Sequence, residues 1–262
     1  MQKKTIKQFE ENGFFYLQSI FLKREIIKLR EIVNLYFSKS KSYYSKMNHT
    51  DFYDLVLKVQ KKIKKKVITG TFKKKIVNQL ITEINLDKNL LVSSYIPMFV
   101  TRPLDKNSIA TSESDMVSFH RDSFYGQKFL NHQINIWIPI FDLELNQNLQ
   151  YIPFSHKIED NKIKTKRLKN FVIKKNSSAH KLGMLYEPKM IKSGVNIKKA
   201  KRFKVPKNNI LIFKSKLIHG NALNFSKKIR FTIAFGIIEK KKLIKKRIPI
   251  NFRERLPQFI DL

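Results

Sequence analysis

The chain contains no cysteine. That absence excludes disulfides, thiolate nucleophiles, iron–sulfur clusters and cysteine-ligated zinc, and leaves any metal to His, Asp, Glu or water. Nor does any apolar run approach the roughly 20 residues that span a bilayer. The opening segment, "MQKKTIKQFEENGFF", carries acidic residues where a signal peptide needs its apolar centre, so a cytoplasmic location is expected. Acidic residues are scarce overall: 20 Asp and Glu stand against 54 Lys and Arg, a formal net charge of +34. A charge of that sign attracts nucleic acid, anionic membrane or an anionic substrate. The lysines are spread along the chain rather than gathered into one stripe, as a lysine-, isoleucine- and asparagine-rich composition produces by itself. The charge therefore assigns no function.

What is present is enough apolar residue for a core. The 262 residues are 42% hydrophobic and include 21 Phe, which fits one folded domain over 1–262. Residues 5–38 read as a short helix, a break at Asn12-Gly13 and a second helix with Leu22, Ile26, Leu29, Val33 and Tyr36 on one face. Phe52, Val56, Val59 and Ile63 mark another helix, and Phe72, Ile76, Leu80 and Ile84 a fourth. The lysines of "KKIKKK" fall on the outer face of the first of these two. From residue 89 the period changes to short apolar or alternating runs: "LLVSSYIPMFVTRP", "VSFH", "QINIWIPIFDL", "NILIFKS" and "IRFTIAFGII". Helices followed by many strands predict an α+β chain, with a mainly helical part at 1–88 and a β-sandwich or jelly-roll core at 89–262. The polar stretch at 157–205 is expected to be a lid or binding insertion, because so long a connection is seldom inert.

Chemistry enters at "SFHRDSFYG", residues 118–126. On a strand, His120 and Asp122 would point to the same face. The pair alone is weak, since "HTD" at 49–51 repeats it; there Thr50 or Asp51 reads as a helix N-cap and His49 as structural. Non-haem Fe(II) sites use two histidines and one carboxylate, so a distant histidine is required. Of His132, His156, His180 and His219, the last is the best placed, immediately after the run "NILIFKSKLI" and beside Gly220. Eleven residues later comes Arg230, within a β run. A buried guanidinium there needs an anion, and a carboxylate gripped at two points would satisfy it. The alternative is an arginine at a strand end in solvent.

Together these segments resemble the Fe(II)/2-oxoglutarate-dependent dioxygenases, particularly the phytanoyl-CoA dioxygenase-like branch. The resemblance runs through "FEENGFFYL", "FHRD", "NIWIPIFDL", "NQNLQYIPFSH" and "IHGNALNFSKKIRFTIAF". It implies a double-stranded β-helix, with His120, Asp122 and His219 as ligands of Fe(II) and Arg230 on the distal carboxylate of 2-oxoglutarate. Trp137 falls where the family places an aromatic residue beside the co-substrate, and Asn135 shares its face. Asn221 stands where a small hydroxyl residue often assists. Gln147 and Phe154 replace the glycines of the family's "NGxL…PGSH" turn, and His156 in that turn is expected to be structural. "HRDSFYG" with "NIWIP" is similar to a subgroup found in carbohydrate-biosynthesis clusters, which implies a sugar-containing small-molecule substrate. Arg121, Tyr125 and Arg102 are candidate substrate contacts. The implied reaction consumes O2 and 2-oxoglutarate, releases succinate and CO2, and hydroxylates a C–H bond. The retained Asp122 speaks against halogenation, because related halogenases replace that carboxylate.

Two other classes are open at this stage. A basic nucleic-acid-binding module requires clustered lysines and exposed aromatics, whereas "NIWIPI" and "FTIAFGII" are too apolar for an exposed stacking platform. A cupin-like metal protein or zinc hydrolase could use the same ligands but leaves Arg230 without a carboxylate to bind.

Overall fold

The computed structural model describes residues 2–18, 23–66, 70–93, 97–103, 119–125, 128–167, 189–221, 224–245 and 259–261. The helices are α1 (Gln2–Asn12), α2 (Lys23–Tyr36), α3 (Lys41–Lys46), α4 (His49–Lys66), α5 (Gly70–Ile84) and α6 (Lys240–Lys245). The strands are β1 (Phe14–Gln18), β2 (Leu90–Ser93), β3 (Met98–Thr101), β4 (Ile134–Pro139), β5 (Gln150–Tyr151), β6 (Lys164–Arg167), β7 (Lys189–Ser193), β8 (Lys201–Arg202), β9 (Asn209–Lys214), β10 (His219–Gly220), β11 (Arg230–Glu239) and β12 (Phe259–Asp261). An antiparallel sheet runs in the order β1-β9-β4-β11-β2-β12, with β3 also paired to β11. A smaller sheet, β10-β5-β8, faces it, and β6 and β7 pair with each other. These facing antiparallel sheets are the expected jelly roll.

The period-two pattern decides which face of the large sheet does what. Ile134, Ile136 and Ile138 of β4, Ile210 and Ile212 of β9, and Phe231, Ile233, Phe235 and Ile237 of β11 pack under the helices. There they meet Leu29 and Val33 of α2, the expected Phe52, Val56, Val59 and Ile63 of α4, and Phe72, Ile76, Leu80 and Ile84 of α5. Each such side chain, fully buried, contributes about 1.5–3 kcal/mol. The alternate residues of the same strands face the small sheet. Trp137, Leu211 and Phe213 pack there with Phe14, Leu149, Phe203 and Leu217. On β11 that face carries Arg230, Thr232, Ala234 and Gly236, three of them small.

Several expectations are corrected. The 5–38 region is not two helices only: α1 ends at Gly13, whose φ of 81° suits glycine, and β1 follows, pairing with β9. The helix cap at "HTD" is Asn48, whose side-chain oxygen accepts from the Asp51 N–H at 2.9 Å. Within 157–205, residues 168–188 lie outside the described residues, but the end of the stretch is core. Phe203 stacks on Tyr151 at 4.3 Å between ring centroids. Phe154 has φ 60°, the left-handed geometry expected where the family has glycine, whereas Gln147 lies in a 3-10 turn (Leu145–Gln147) without positive φ. His180 lies outside the described residues.

His156 is buried, its Nε2 donates to the Glu10 carbonyl at 3.1 Å, and its ring covers Gly13, where any Cβ would strike it. Burial, with Lys214 and Lys157 adding to it, lowers its pKa from 6.5. The unfolded chain therefore takes up the proton more readily, and stability present above about pH 6.5 is lost as pH falls. Melting temperature is expected to decline between pH 7 and 5 in the native chain, and less steeply in His156→Gln. Parallel pH profiles of the two proteins would contradict this assignment.

Candidate metal and co-substrate site

His120 and His219 are joined through their own backbones. The N–H of His120 donates to the His219 carbonyl at 2.9 Å, and the reverse bond is 3.0 Å. This single antiparallel bridge extends the small sheet by one residue and sets the imidazoles 4.5 Å apart between centroids. Asp122 is not on a strand, as the spacing suggested. It opens a 3-10 turn (Asp122–Tyr125) that carries its carboxylate to the same place. Its Oδ1 lies 3.9 Å from Nε2 of His120 and 3.8 Å from Nε2 of His219. Those separations are too long for hydrogen bonds. They suit three donors converging on one cation, whose bonds are about 2 Å long. Among the described residues this is the group of His, Asp and Glu side chains that could hold a metal ion.

His219 and Asp122 are each fixed from behind. Nδ1 of His219 bonds the Leu217 carbonyl at 2.8 Å, so Nδ1 carries the proton and Nε2 offers its lone pair. The ring also meets Phe213 edge-on at 4.7 Å. The other carboxylate oxygen of Asp122, Oδ2, accepts from Asn135 Nδ2 at 2.7 Å and from Gln133 Nε2 at 3.4 Å. Burial raises the Asp122 pKa, while His219 and the Asn135 amide oppose that rise. An arriving cation would favour the ionised form. Asn135 thus reaches the carboxylate from behind, and Gln133 is a neighbour that sequence reasoning missed.

Arg230 lies on the facing sheet, 1% exposed. One nitrogen donates to the Gln147 carbonyl at 3.2 Å and another to Oδ1 of Asn221 at 2.7 Å, while Nε has no partner. The guanidinium carbon stands 5.9 Å from the Trp137 ring centre. Burial, together with the charge of Arg202, pushes the Arg230 pKa down to about 9. It is still charged at neutral pH, and among the described residues it makes no ion pair. Asn135 and Trp137 share one face of β4 two residues apart, roughly 7 Å. A buried guanidinium with an unpartnered Nε and no ion pair, beside an indole, suits a carboxylate of 2-oxoglutarate, and the carboxylate–imidazole group suits a metal. The cavity of about 220 Å³ bounded by Val33, Phe37, Tyr44, Phe141 and Phe231 is elsewhere, on the helix side of β11.

A model of the phytanoyl-CoA dioxygenase family matches residues 9–232. The chain belongs to the phytanoyl-CoA dioxygenase family. It is an enzyme, an oxygenase dependent on Fe(II), 2-oxoglutarate and O2. Solved structures share its fold at low identity. EvdO2 from Micromonospora carbonacea var. aurantiaca, complexed with 2-oxoglutarate, is 11% identical with a TM-score of 0.59, covering 91% of each chain. The non-heme alpha ketoglutarate dependent carbocyclase SnoK from nogalamycin biosynthesis is 11% identical with a TM-score of 0.55, over 100% of this chain and 96% of that one. The epimerase SnoN, in complex with Fe3+, alpha ketoglutarate and nogalamycin RO, is 10% identical with a TM-score of 0.50, over 98% and 92%. No curated protein matches the sequence. Among the described residues no helix is long and apolar enough to cross a membrane.

Two expected substrate contacts are placed elsewhere. Arg121 alternates away from its neighbours and is fully buried; it pairs with Asp160 and donates to the carbonyls of Ser155 and Ile158. It ties the ligand-bearing segment to the turn after β5 and has no surface left for a substrate. Arg102, 1% exposed, donates to the Met47 carbonyl and lies 5.6 Å from the Phe52 ring centre, on the helix side. Arginine identity alone could not separate these anchors from Arg230, because all three are buried. The Tyr125 side chain lies outside the described residues.

Proposed function

We propose that this oxygenase hydroxylates a small organic molecule, with His120, Asp122 and His219 as the iron ligands and Arg230 as the anchor of the distal carboxylate of 2-oxoglutarate. The substrate we favour contains a sugar, on the likeness of "HRDSFYG" and "NIWIP" to oxygenases of carbohydrate-biosynthesis clusters. One observation carries the assignment: a buried, charged guanidinium with an orphaned Nε, across the sheets from two imidazoles and a carboxylate that converge without hydrogen-bonding one another. A hydrolytic zinc site would give that guanidinium no anion.

Bound Fe(II) and 2-oxoglutarate supply the oxidation: O2, 2-oxoglutarate and R–H become succinate, CO2 and R–OH. The residues of this chain bind and orient. Leu217 holds His219 in the tautomer that offers Nε2; Asn135 leaves one carboxylate oxygen of Asp122 facing the imidazoles. Asn221 and Gln147 aim the guanidinium, and Trp137, Phe213 and Leu211 keep water from the interior. Asp160, through Arg121, keeps the ligand-bearing segment seated.

The test is turnover of the purified protein with Fe(II), 2-oxoglutarate and a panel of free and nucleotide-linked sugars. Succinate should form in step with a product heavier by one oxygen atom. Succinate without any oxidised sugar would retain the oxygenase and remove the sugar assignment. A product with unchanged oxygen count, as in epimerisation or ring closure, would remove hydroxylation.

A further inference from the structure

Gly236 makes no turn and has no positive φ, yet a Cβ there would lie less than 3.0 Å from Cγ, Cδ and Oε1 of Gln133. It faces Asn135 across the β4–β11 pair. The Gln133 side chain occupies the space this glycine leaves and donates through Nε2 to Oδ1 of Asn135. Asn135 in turn donates to Asp122. The polarity of this chain of amides follows from its last member. An ionised carboxylate only accepts, so Asn135 must present its NH2 to Asp122 and its oxygen to Gln133. Gln133 must then present its own NH2. A flipped Asn135 would set oxygen against oxygen at the carboxylate. The backbone of Gln133 is held as well: its N–H donates to the Leu130 carbonyl at 3.1 Å, and its carbonyl accepts from Ser215 at 3.0 Å.

We propose that Gln133 and Gly236 are a matched pair of positioning residues, the glycine making the space from which the glutamine sets the orientation of Asn135 and hence of the Asp122 carboxylate. The proposal rests on Asp122 being a metal ligand. Groups behind a ligand typically change metal affinity by about 10–100-fold. The clash at Gly236 is with the end of a flexible side chain rather than with backbone. Gly236→Ala therefore displaces Gln133 without requiring the sheet to open.

The experiment measures Co(II) affinity and the visible Co(II) spectrum in the native chain, Gly236→Ala, Gln133→Ala and the double variant. Each single change should weaken Co(II) binding about 10–100-fold and shift the visible bands, with melting temperature close to native. In the double variant the added methyl meets no side chain, so its affinity should equal that of Gln133→Ala. Native-like affinity and spectrum in Gly236→Ala, or losses that multiply in the double variant, would overturn the pairing. Should Gly236→Ala fail to fold, an unchanged affinity in Gln133→Ala overturns it and a weakened one supports it. A native chain that binds no Co(II) would sink the metal site itself, an outcome distinct from either.

Discussion

Arg230→Leu should lose 2-oxoglutarate and keep its fold. Removing one partner of a buried, hydrogen-bonded charge pair costs about 2–5 kcal/mol of binding, which corresponds to a 2-oxoglutarate Kd raised roughly 30- to 4000-fold. The guanidinium is 1% exposed, with no carboxylate of the chain beside it among the described residues, so its burial is a cost borne by the empty protein. A leucine removes that cost, which offsets the loss of the donor to the Gln147 carbonyl and to Oδ1 of Asn221. The melting temperature of the apo protein should therefore hold or rise, while the thermal shift produced by 2-oxoglutarate disappears; in the native chain that shift is worth about 2.7 kcal/mol at a concentration 100 times Kd. Arg230→Lys should fall between, since an ammonium keeps the charge but loses the planar fork. A structural arginine predicts the reverse: a destabilised variant with undiminished affinity for 2-oxoglutarate. Calorimetric titration and melting on the same samples distinguish the two.

The parts of this site legible in the sequence are those set by local spacing or strong burial logic. "INIWIP" alternates apolar and functional side chains, which places Asn135 and Trp137 on one face of β4 before any pairing is known. Arg230 in a β run implies an anion if buried, or solvent if at a strand end; it opens β11 and is buried. His120 and Asp122 do not share a strand face; a β-bridge and a 3-10 turn bring their donor atoms together instead. What was not legible depends on pairing across the chain. Gln133 is unremarkable until β4 and β11 are in register and Gly236 leaves it room, 103 residues away. Arg121, between two ligands in sequence, points to residues of another turn, and only the position of Asp160 reveals it as an anchor. β1 is missing from the helix–break–helix reading of 5–38 because five residues between helices are too few for a period to decide. The lysines of α4 follow the expected partition where described: Lys58, Lys61 and Lys62 are exposed while Val59 and Ile63 are buried.

Asp122→Asn is the sharper probe of the iron centre, because it changes charge and polarity while leaving shape alone. The Asn135 NH2 requires an acceptor at 2.7 Å, so the new carboxamide must turn its oxygen toward Asn135. Its NH2 group then points at Nε2 of both histidines, where Oδ1 had been. A donor now occupies the ligand position, one charge is lost, and the amide can bond the lone pair that His219 offered to a metal. Fe(II) or Mn(II) affinity should fall by more than the roughly 100-fold that marks loss of a group behind a ligand, and succinate formation should cease. The fold should survive with melting temperature unchanged or raised, because a buried carboxylate whose pKa burial drives upward has been replaced by a neutral group that keeps the contact with Asn135. Metal affinity within a few-fold of native in this variant would mean that Asp122 is not a ligand, and the two histidines would then need another carboxylate.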